Sequence, residues 1–180
     1  KRAKLVSGDF DGNGKSDVAA AYNYDNSDTG LWVWLSQGSP GSSFAQSLWW
    51  RSGAGNWDWS RSQFLTGDFN GDGKRDVAAA YDYGNDNTSL FVFPSTGSSF
   101  SGSAQWWNSG VGNWRGANSK WVSGDFTGDG KCDVGTLYDY GNSSTALWTF
   151  PSTGSSLQAA SRWWSSGAAG SWEWARSTAF

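Results

Sequence analysis

Short apolar runs alternate with turns rich in Gly, Asp, Asn and Ser along the whole chain, and they do so with one period. Leu5-Val6, Phe64-Leu65 and Trp121-Val122 each stand before a polar loop. After the loop come residues 18–22, 77–81 and 134–138, which read as a second strand even though the Ala runs in the first two copies have low strand propensity. A Tyr-x-Tyr marker (Tyr22 and Tyr24, Tyr81 and Tyr83, Tyr138 and Tyr140) and a polar turn over 25–30, 84–89 and 141–146 close it. Leu31-Trp32-Val33-Trp34, Leu90-Phe91-Val92-Phe93 and Leu147-Trp148-Thr149-Phe150 then form a third strand, apolar on both faces, as expected of a strand covered on both sides. A fourth segment, over 44–50, 100–107 and 157–164, ends in a Trp pair.

The Gly that opens each polar loop recurs at intervals of 59 and 57 residues (Gly8, Gly67, Gly124), and the Trp pairs recur at 57. Four short antiparallel strands in a period of this length predict an all-β chain, a β-propeller of three four-stranded antiparallel blades. No helical periodicity competes with it. The reading is one repeat domain over 1–180, with repeats at about 1–59, 60–116 and 117–174, and 175–180 entering a fourth repeat phase, because residues 175–180 align with 1–6 and 60–65. Three blades are too few to close a ring. That leaves a homo-oligomer of joined copies, part of a longer propeller, or an open fibre built by end strands.

Composition adds one outlier: 15 Trp in 180 residues, with 25 Gly and only 3 Pro. Large rigid anchors between turns can bury ample surface, so the low charged fraction does not signal disorder. No apolar run is long enough to span a bilayer as a helix. The net charge of −3 argues against nucleic acid as a partner. The absence of Met and of a signal-like start suggests a processed or excised piece of a longer product. The single Cys, Cys132, excludes an internal disulfide framework and reads as a solvent-facing bystander.

The chemistry lies in the loops 9–17, 68–76 and 125–133. Oxygen-bearing side chains occupy loop positions 1, 3, 5 and 9: Asp9, Asp11, Asn13 and Asp17; Asp68, Asn70, Asp72 and Asp76; Asp125, Thr127, Asp129 and Asp133. Position 7 offers the main-chain carbonyls of Lys15, Lys74 and Lys131. This alternation, with Gly at position 6, lets a short loop wrap a hard cation such as Ca²⁺. Position 12 of an EF-hand would be Glu and is here Ala20, Ala79 or Thr136, and the flanks are strands, so the loop is not an EF-hand. The bland alternative is a hairpin turn without metal.

The pattern Gly-Asp-Phe-Asn-Gly-Asp-Gly-Lys-x-Asp-Val resembles the FG-GAP/VCBS-type repeat found in integrin α propellers, fungal integrin-like propeller lectins and secreted bacterial proteins. The resemblance covers all three repeats, and the Trp-Trp and Gly-x-Gly-Asn-Trp pieces look like a subgroup common in secreted bacterial carbohydrate-active proteins. It implies a secreted, extracellular protein with three mainly structural Ca²⁺ sites at the positions above. Thr127 departs from the usual Asp or Asn.

Two functions compete. The first is lectin-like binding of glycans or cell-surface glycoconjugates, because an indole face packs on the apolar face of a pyranose while polar neighbours bind hydroxyls. Its candidates are the pairs Trp49-Trp50, Trp106-Trp107 and Trp163-Trp164, and the connection residues Trp57, Trp59, Trp114, Trp172 and Trp174; each could equally be core. The second is a structural subunit of an adhesin or fibre. Asn87 and Asn142 head glycosylation sequons. Catalysis is not expected: there is no His, and nine of the 16 carboxylates lie in the loops.

Overall fold

The computed structural model describes residues 2–39, 44–167 and 172–177. It contains three four-stranded antiparallel sheets, each in sequential order. The first comprises β1 (Ala3–Gly8), β2 (Asp17–Asn23), β3 (Thr29–Leu35) and β4 (Ala45–Arg51). The second comprises β5 (Ser62–Gly67), β6 (Asp76–Gly84), β7 (Asn87–Phe93) and β8 (Ala104–Asn108). The third comprises β9 (Ser119–Gly124), β10 (Asp133–Gly141), β11 (Ser144–Phe150) and β12 (Ser161–Ser165). Short 3₁₀ turns over Trp59–Arg61, Gly116–Asn118 and Trp174–Arg176 follow the fourth strands. β1 neighbours β5, and β5 neighbours β9, so the first strand of each blade is innermost, as in a β-propeller. No helix among the described residues is long and apolar enough to cross a membrane. Thr178, Ala179 and Phe180, the end of the expected fourth repeat phase, lie outside the described residues.

Blades stack face to face. Ala19, Ala21, Leu31 and Val33 of the first pack on Val77, Ala79 and Phe93 of the second. The opposite face of the second blade, with Ala78, Ala80, Leu90 and Val92, packs on Trp121, Val134 and Phe150 of the third. The Ala runs that weaken the strand propensity of β2 and β6 therefore have a packing reason. β6 is covered by a neighbouring blade on both faces and β2 on one, and small side chains let the blades approach.

Tryptophan fills the seams. Trp57 and Trp114 are buried, their indole N–H groups donating to Ser62 Oγ at 2.8 Å and Ser119 Oγ at 2.9 Å. Trp57 meets Tyr81, Phe91 and Phe93 at centroid distances of 4.9, 5.0 and 5.5 Å, and Trp114 meets Tyr138, Trp148 and Phe150 at 4.7, 5.8 and 5.6 Å. A bulge in β4 pairs Leu31 with Trp50 and Trp32 with Leu48, leaving Trp49 as the extra residue. Trp49 is buried against Phe100 of the next blade, while Trp50 packs on Phe93 at 4.8 Å.

The polar turn expected over 84–89 is shorter than its composition suggests. Asn85 and Asp86, both at positive φ, make a two-residue hairpin loop, and β7 begins at Asn87. Thr88 and Ser89 are strand residues with no exposure. Thr88 is accommodated because its hydroxyl donates to the Trp114 carbonyl at 3.0 Å. The third repeat does the same with Asn142 and Ser143 ahead of β11. Cys132 is half-buried in the seam and not solvent-facing: its backbone N–H donates to the Asp68 carbonyl at 2.7 Å, and Arg75 Nη1 lies 3.4 Å from its sulfur.

Trp57→Ala is expected to cost about 3–5 kcal/mol of unfolding free energy, because it empties a seam that cannot collapse. Trp163→Ala, at a half-exposed position, should cost about 1 kcal/mol or less. Urea denaturation of the two variants measures the difference; equal costs would refute the wedge role of Trp57.

Candidate functional site

The three Asp-rich loops share one architecture, in which carboxylates collect backbone N–H groups. Asp9 accepts from Gly12, Asn13 and Gly14 at 2.7–3.0 Å. Asp68 accepts from Gly71, Asp72 and Gly73, and Asp125 from Gly128, Asp129 and Gly130. Gly12 and Gly14 sit at φ +77° and +82°, so the turn that aims these N–H groups inward needs glycine. Position 9 is a different device. Asp17, Asp76 and Asp133 are fully buried and bridge two segments of their own blade. One oxygen accepts the N–H of Phe10, Phe69 or Phe126, and the other accepts the N–H of Ser36, Ser95 or Ser152 at 2.8 Å.

Side-chain oxygens of Asp9, Asp11 and Asp17 gather within 4.8 Å of one another. An all-oxygen donor set of this density fits a hard cation, since Asp9 Oδ2 and both oxygens of Asp11 and Asp17 each accept a single described hydrogen bond and keep a lone pair. In the second and third loops Asn70 and Thr127 replace the middle carboxylate. There Lys74 and Lys131 fold back onto Asp72 at 3.1 Å and Asp129 at 2.9 Å. The side chains of Lys74 and Lys131 therefore serve as local counter-charges, and position 7 joins the loop's hydrogen bonds through its backbone N–H. Asn13 Oδ1 accepts the Lys15 N–H at 2.9 Å.

The aromatic candidates separate into three groups. Trp49, Trp57, Trp106 and Trp114 are buried and their rings are spent on the core. Trp50, Trp59, Trp107 and Trp174 are half-buried. Trp163, Trp164 and Trp172 are exposed on the outward face of the third blade. Trp59 and Trp174 carry a lysine over the ring, Lys4 at 4.1 Å and Lys120 at 3.9 Å from the centroid.

In the second and third blades the middle hairpin and the 3₁₀ turn that follows the fourth strand form clefts that individual residues do not announce. One of about 420 Å³ is lined by Asp82, Gly84, Asn85, Asp86, Arg115 and Ala117. Its counterpart one repeat on, about 260 Å³, is lined by Asp139, Gly141, Asn142, Ser143, Glu173, Trp174 and Ala175. The first also adjoins a deeper chamber of about 410 Å³. The signal in the chain is a broken repeat: Trp57-Asp58-Trp59 and Trp172-Glu173-Trp174 bracket Trp114-Arg115-Gly116.

Burial pushes the Asp76 carboxyl up to about 7, opposed by the N–H groups of Ser95 and Phe69 and reinforced by the charges of Asp72 and Asp68. The unfolded chain loses this proton near pH 4. The folded form binds the extra proton between these values, so this group's contribution to stability is full below about pH 4, falls as pH rises to about 7 and is flat above. In chelator, Asp76→Asn is expected to flatten that part of the stability–pH curve, read by urea denaturation. An unchanged slope would place the proton uptake on another group.

The FG-GAP-like repeat family model matches residues 9–79 and 68–136, which include all three loops. No curated protein sequence matches the chain. Among solved structures, one of an Agrocybe aegerita lectin, described for specific recognition of non-reducing terminal N-acetylglucosamine, is similar at 15% identity with a TM-score of 0.37. The match covers 89% of this chain and 52% of the lectin, so the chain spans about half that protein's length. With three Asp-rich turns, three four-stranded blades and a repeat model running from the first loop to the third, this chain belongs to the FG-GAP-like repeat family.

Proposed function

We propose that this chain is an extracellular, Ca²⁺-stabilised propeller module that binds carbohydrate and carries out no catalysis. The observation that carries the reading is the repeated junction cleft. Each one places a carboxylate (Asp82 or Asp139), a hairpin amide (Asn85 or Asn142) and a charged residue (Arg115 or Glu173) around one concavity, with Trp174 in the wall of the second. Convergent donors and acceptors beside an aromatic wall suit a polyhydroxylated ligand. Repetition of a weak site raises avidity for a multivalent glycan surface. The cation's part is to fix the turns through Asp9, Asp11 and Asp17, which stand at the head of the hairpins that build the blades.

The test is a glycan array probed in Ca²⁺ and again in chelator, beside a thermal melt of the wild type and Asp11→Ala. Binding to a coherent set of neutral glycans is expected, with a melting temperature raised by Ca²⁺ in the wild type and less in the variant. Asp11 bonds only within its own loop, to Asn13, so its loss in chelator should cost about 0.5 kcal/mol or less. An array blank under both conditions overturns the carbohydrate reading, and a melt indifferent to Ca²⁺ overturns the metal.

A second reading, assembly through the outer blade faces, rests on another observation. Leu5 is 69% exposed, and Trp164 and Trp172 are each 42% exposed. Trp164 and Trp172 are the repeat counterparts of Trp107 and Trp114, which meet Phe150 in the seam between the second and third blades. Trp32 and Trp34 hold the positions of Phe91 and Phe93. The outward faces of the first and third blades thus repeat, residue by residue, the two halves of an internal seam, and one blade packed on another would cover both. Light scattering after size exclusion should give a discrete oligomer or a filament, with Trp164→Arg shifting the mass toward monomer. A wild type that stays monomeric at high concentration rules the assembly out.

A further inference from the structure

In two of the three repeats the 3₁₀ turn after the fourth strand drives a tryptophan into the same place. Trp59 donates its indole N–H to the Ala21 carbonyl at 2.7 Å, and Trp174 reaches the Leu137 carbonyl at 3.5 Å. A lysine caps each: Lys4 donates to the carbonyls of Trp59 and Ser62, and Lys120 to those of Trp174 and Ser177. Between the second and third blades both partners change together. Gly116 stands in the tryptophan's position and Gln63 in the lysine's. Ala80, the counterpart of Ala21 and Leu137, receives no indole among the described residues.

The vacated volume is not refilled by the core. A chamber of about 410 Å³ remains there, sharing Asp82, Gly84 and Ala117 with the outer cleft and bounded also by Lys4 and residues 60–62. Asp82 leans into it: a Cβ added to Gly116 would fall 2.9 Å from both Cβ and Cγ of Asp82. One Asp82 oxygen accepts the Gly84 N–H at 2.8 Å, and Oδ2 carries no described hydrogen bond. Arg61 and Gln63 supply donors at the rim, and the ring of Trp121 closes one wall. Their existing bonds leave donors over: Arg61 Nη1 donates to the Tyr83 carbonyl at 3.1 Å and Nε pairs with Asp58 at 3.4 Å, and Gln63 Nε2 reaches the Ser119 carbonyl at 3.5 Å.

We propose that the junction between the second and third blades is a specialised saccharide site, in which Gly116 opens a chamber for one neutral pyranose ring, Asp82 accepts from its hydroxyls, and Arg61 and Gln63 donate to its oxygens. The inference rests on the carbohydrate reading above and deepens it: the repeats are unequal, and where Trp59 and Trp174 stand the indole takes the inner space, so that the Trp174 repeat keeps only its outer cleft of about 260 Å³. The chamber volume lies in the range of small-ligand sites. A carboxylate facing two donors matches vicinal hydroxyls, each of which gives one hydrogen and accepts another.

The test uses the methyl glycosides of glucose, galactose, mannose and N-acetylglucosamine as probes, read by saturation-transfer NMR and titration of tryptophan fluorescence on the full chain. Asp82→Asn removes the carboxylate at a position where the first repeat already carries Asn23, so the fold tolerates the amide. It should weaken binding of the responding glycoside at least about tenfold, the loss expected for one hydrogen bond to a charged acceptor. The pair Gly116→Trp with Gln63→Lys rebuilds the closed junction and should abolish binding; the new Cβ would meet Asp82, so the melting temperature is expected to fall, circular dichroism checks that the blades still fold, and Asp82→Asn, which adds no atoms, decides the test if they do not. Trp174 already coexists with Asp139 at the neighbouring junction, so the indole has a precedent beside an aspartate. Binding that survives both changes overturns this site while the carbohydrate reading stands at another junction. No response to any glycoside, together with a blank array, removes the reading and the site with it.

Discussion

Each blade is a sheet with two apolar faces, and neither face can be left in water. That constraint organises the molecule. Leu31 and Val33 on one side of β3, and Trp32 and Trp34 on the other, require a neighbour on both sides. The second blade, the only one covered on both faces among the described residues, has Val77, Ala78, Ala79, Ala80, Leu90, Val92 and Phe93 all essentially without solvent contact. Tryptophan makes the seam specific. An indole with one N–H can be held in a single orientation by a buried serine hydroxyl, and Ser62 and Ser119 do this for Trp57 and Trp114. Edge-to-face contacts to the next blade's aromatics then set the distance between the two sheets.

The Asp-rich loops serve this stacking as well as their own turns. A buried carboxylate at the ninth position ties the loop to the turn after β3, β7 or β11, and the neighbouring blade grips the loop from outside. Ser95 Oγ donates to the Phe10 carbonyl and Ser152 Oγ to the Phe69 carbonyl, both at 2.6 Å. The Arg75 N–H donates to the Asp9 carbonyl at 2.8 Å. Order in one loop is thereby coupled to the register of the next blade. Substitution of Asp9, Asp68 or Asp125 would remove three backbone partners at once, with or without a cation, whereas Asp11 is engaged only locally.

Departures from the repeat are where function is best sought. The seams need Trp57 and Trp114 alike, so those positions do not vary. The position two residues later is less constrained: Trp59 and Trp174 occupy it in two repeats, and Gly116 in the other leaves space lined by polar groups. A packing position released in one copy, in a scaffold stabilised by the others, can take on recognition at little cost to the fold.

The three blades, their four strands and the repeated Asp-rich turns were legible in the chain, because short apolar strands between Gly- and Asp-rich turns allow few other solutions and three copies reinforce them. The hairpin ends were not. Thr88 and Ser89 look like turn residues until the Trp114 carbonyl gives the threonine hydroxyl a buried acceptor. The fate of each tryptophan was also beyond the linear pattern. Trp49 and Trp163 hold the same repeat position, yet one is 5% and the other 49% exposed, since burial depends on whether another blade stands against that face. The junction chamber required three dimensions as well: Gly116, Gln63 and Asp82 are distant in sequence, and only the apposition of two sheets brings their vacated volume and their polar atoms to one place.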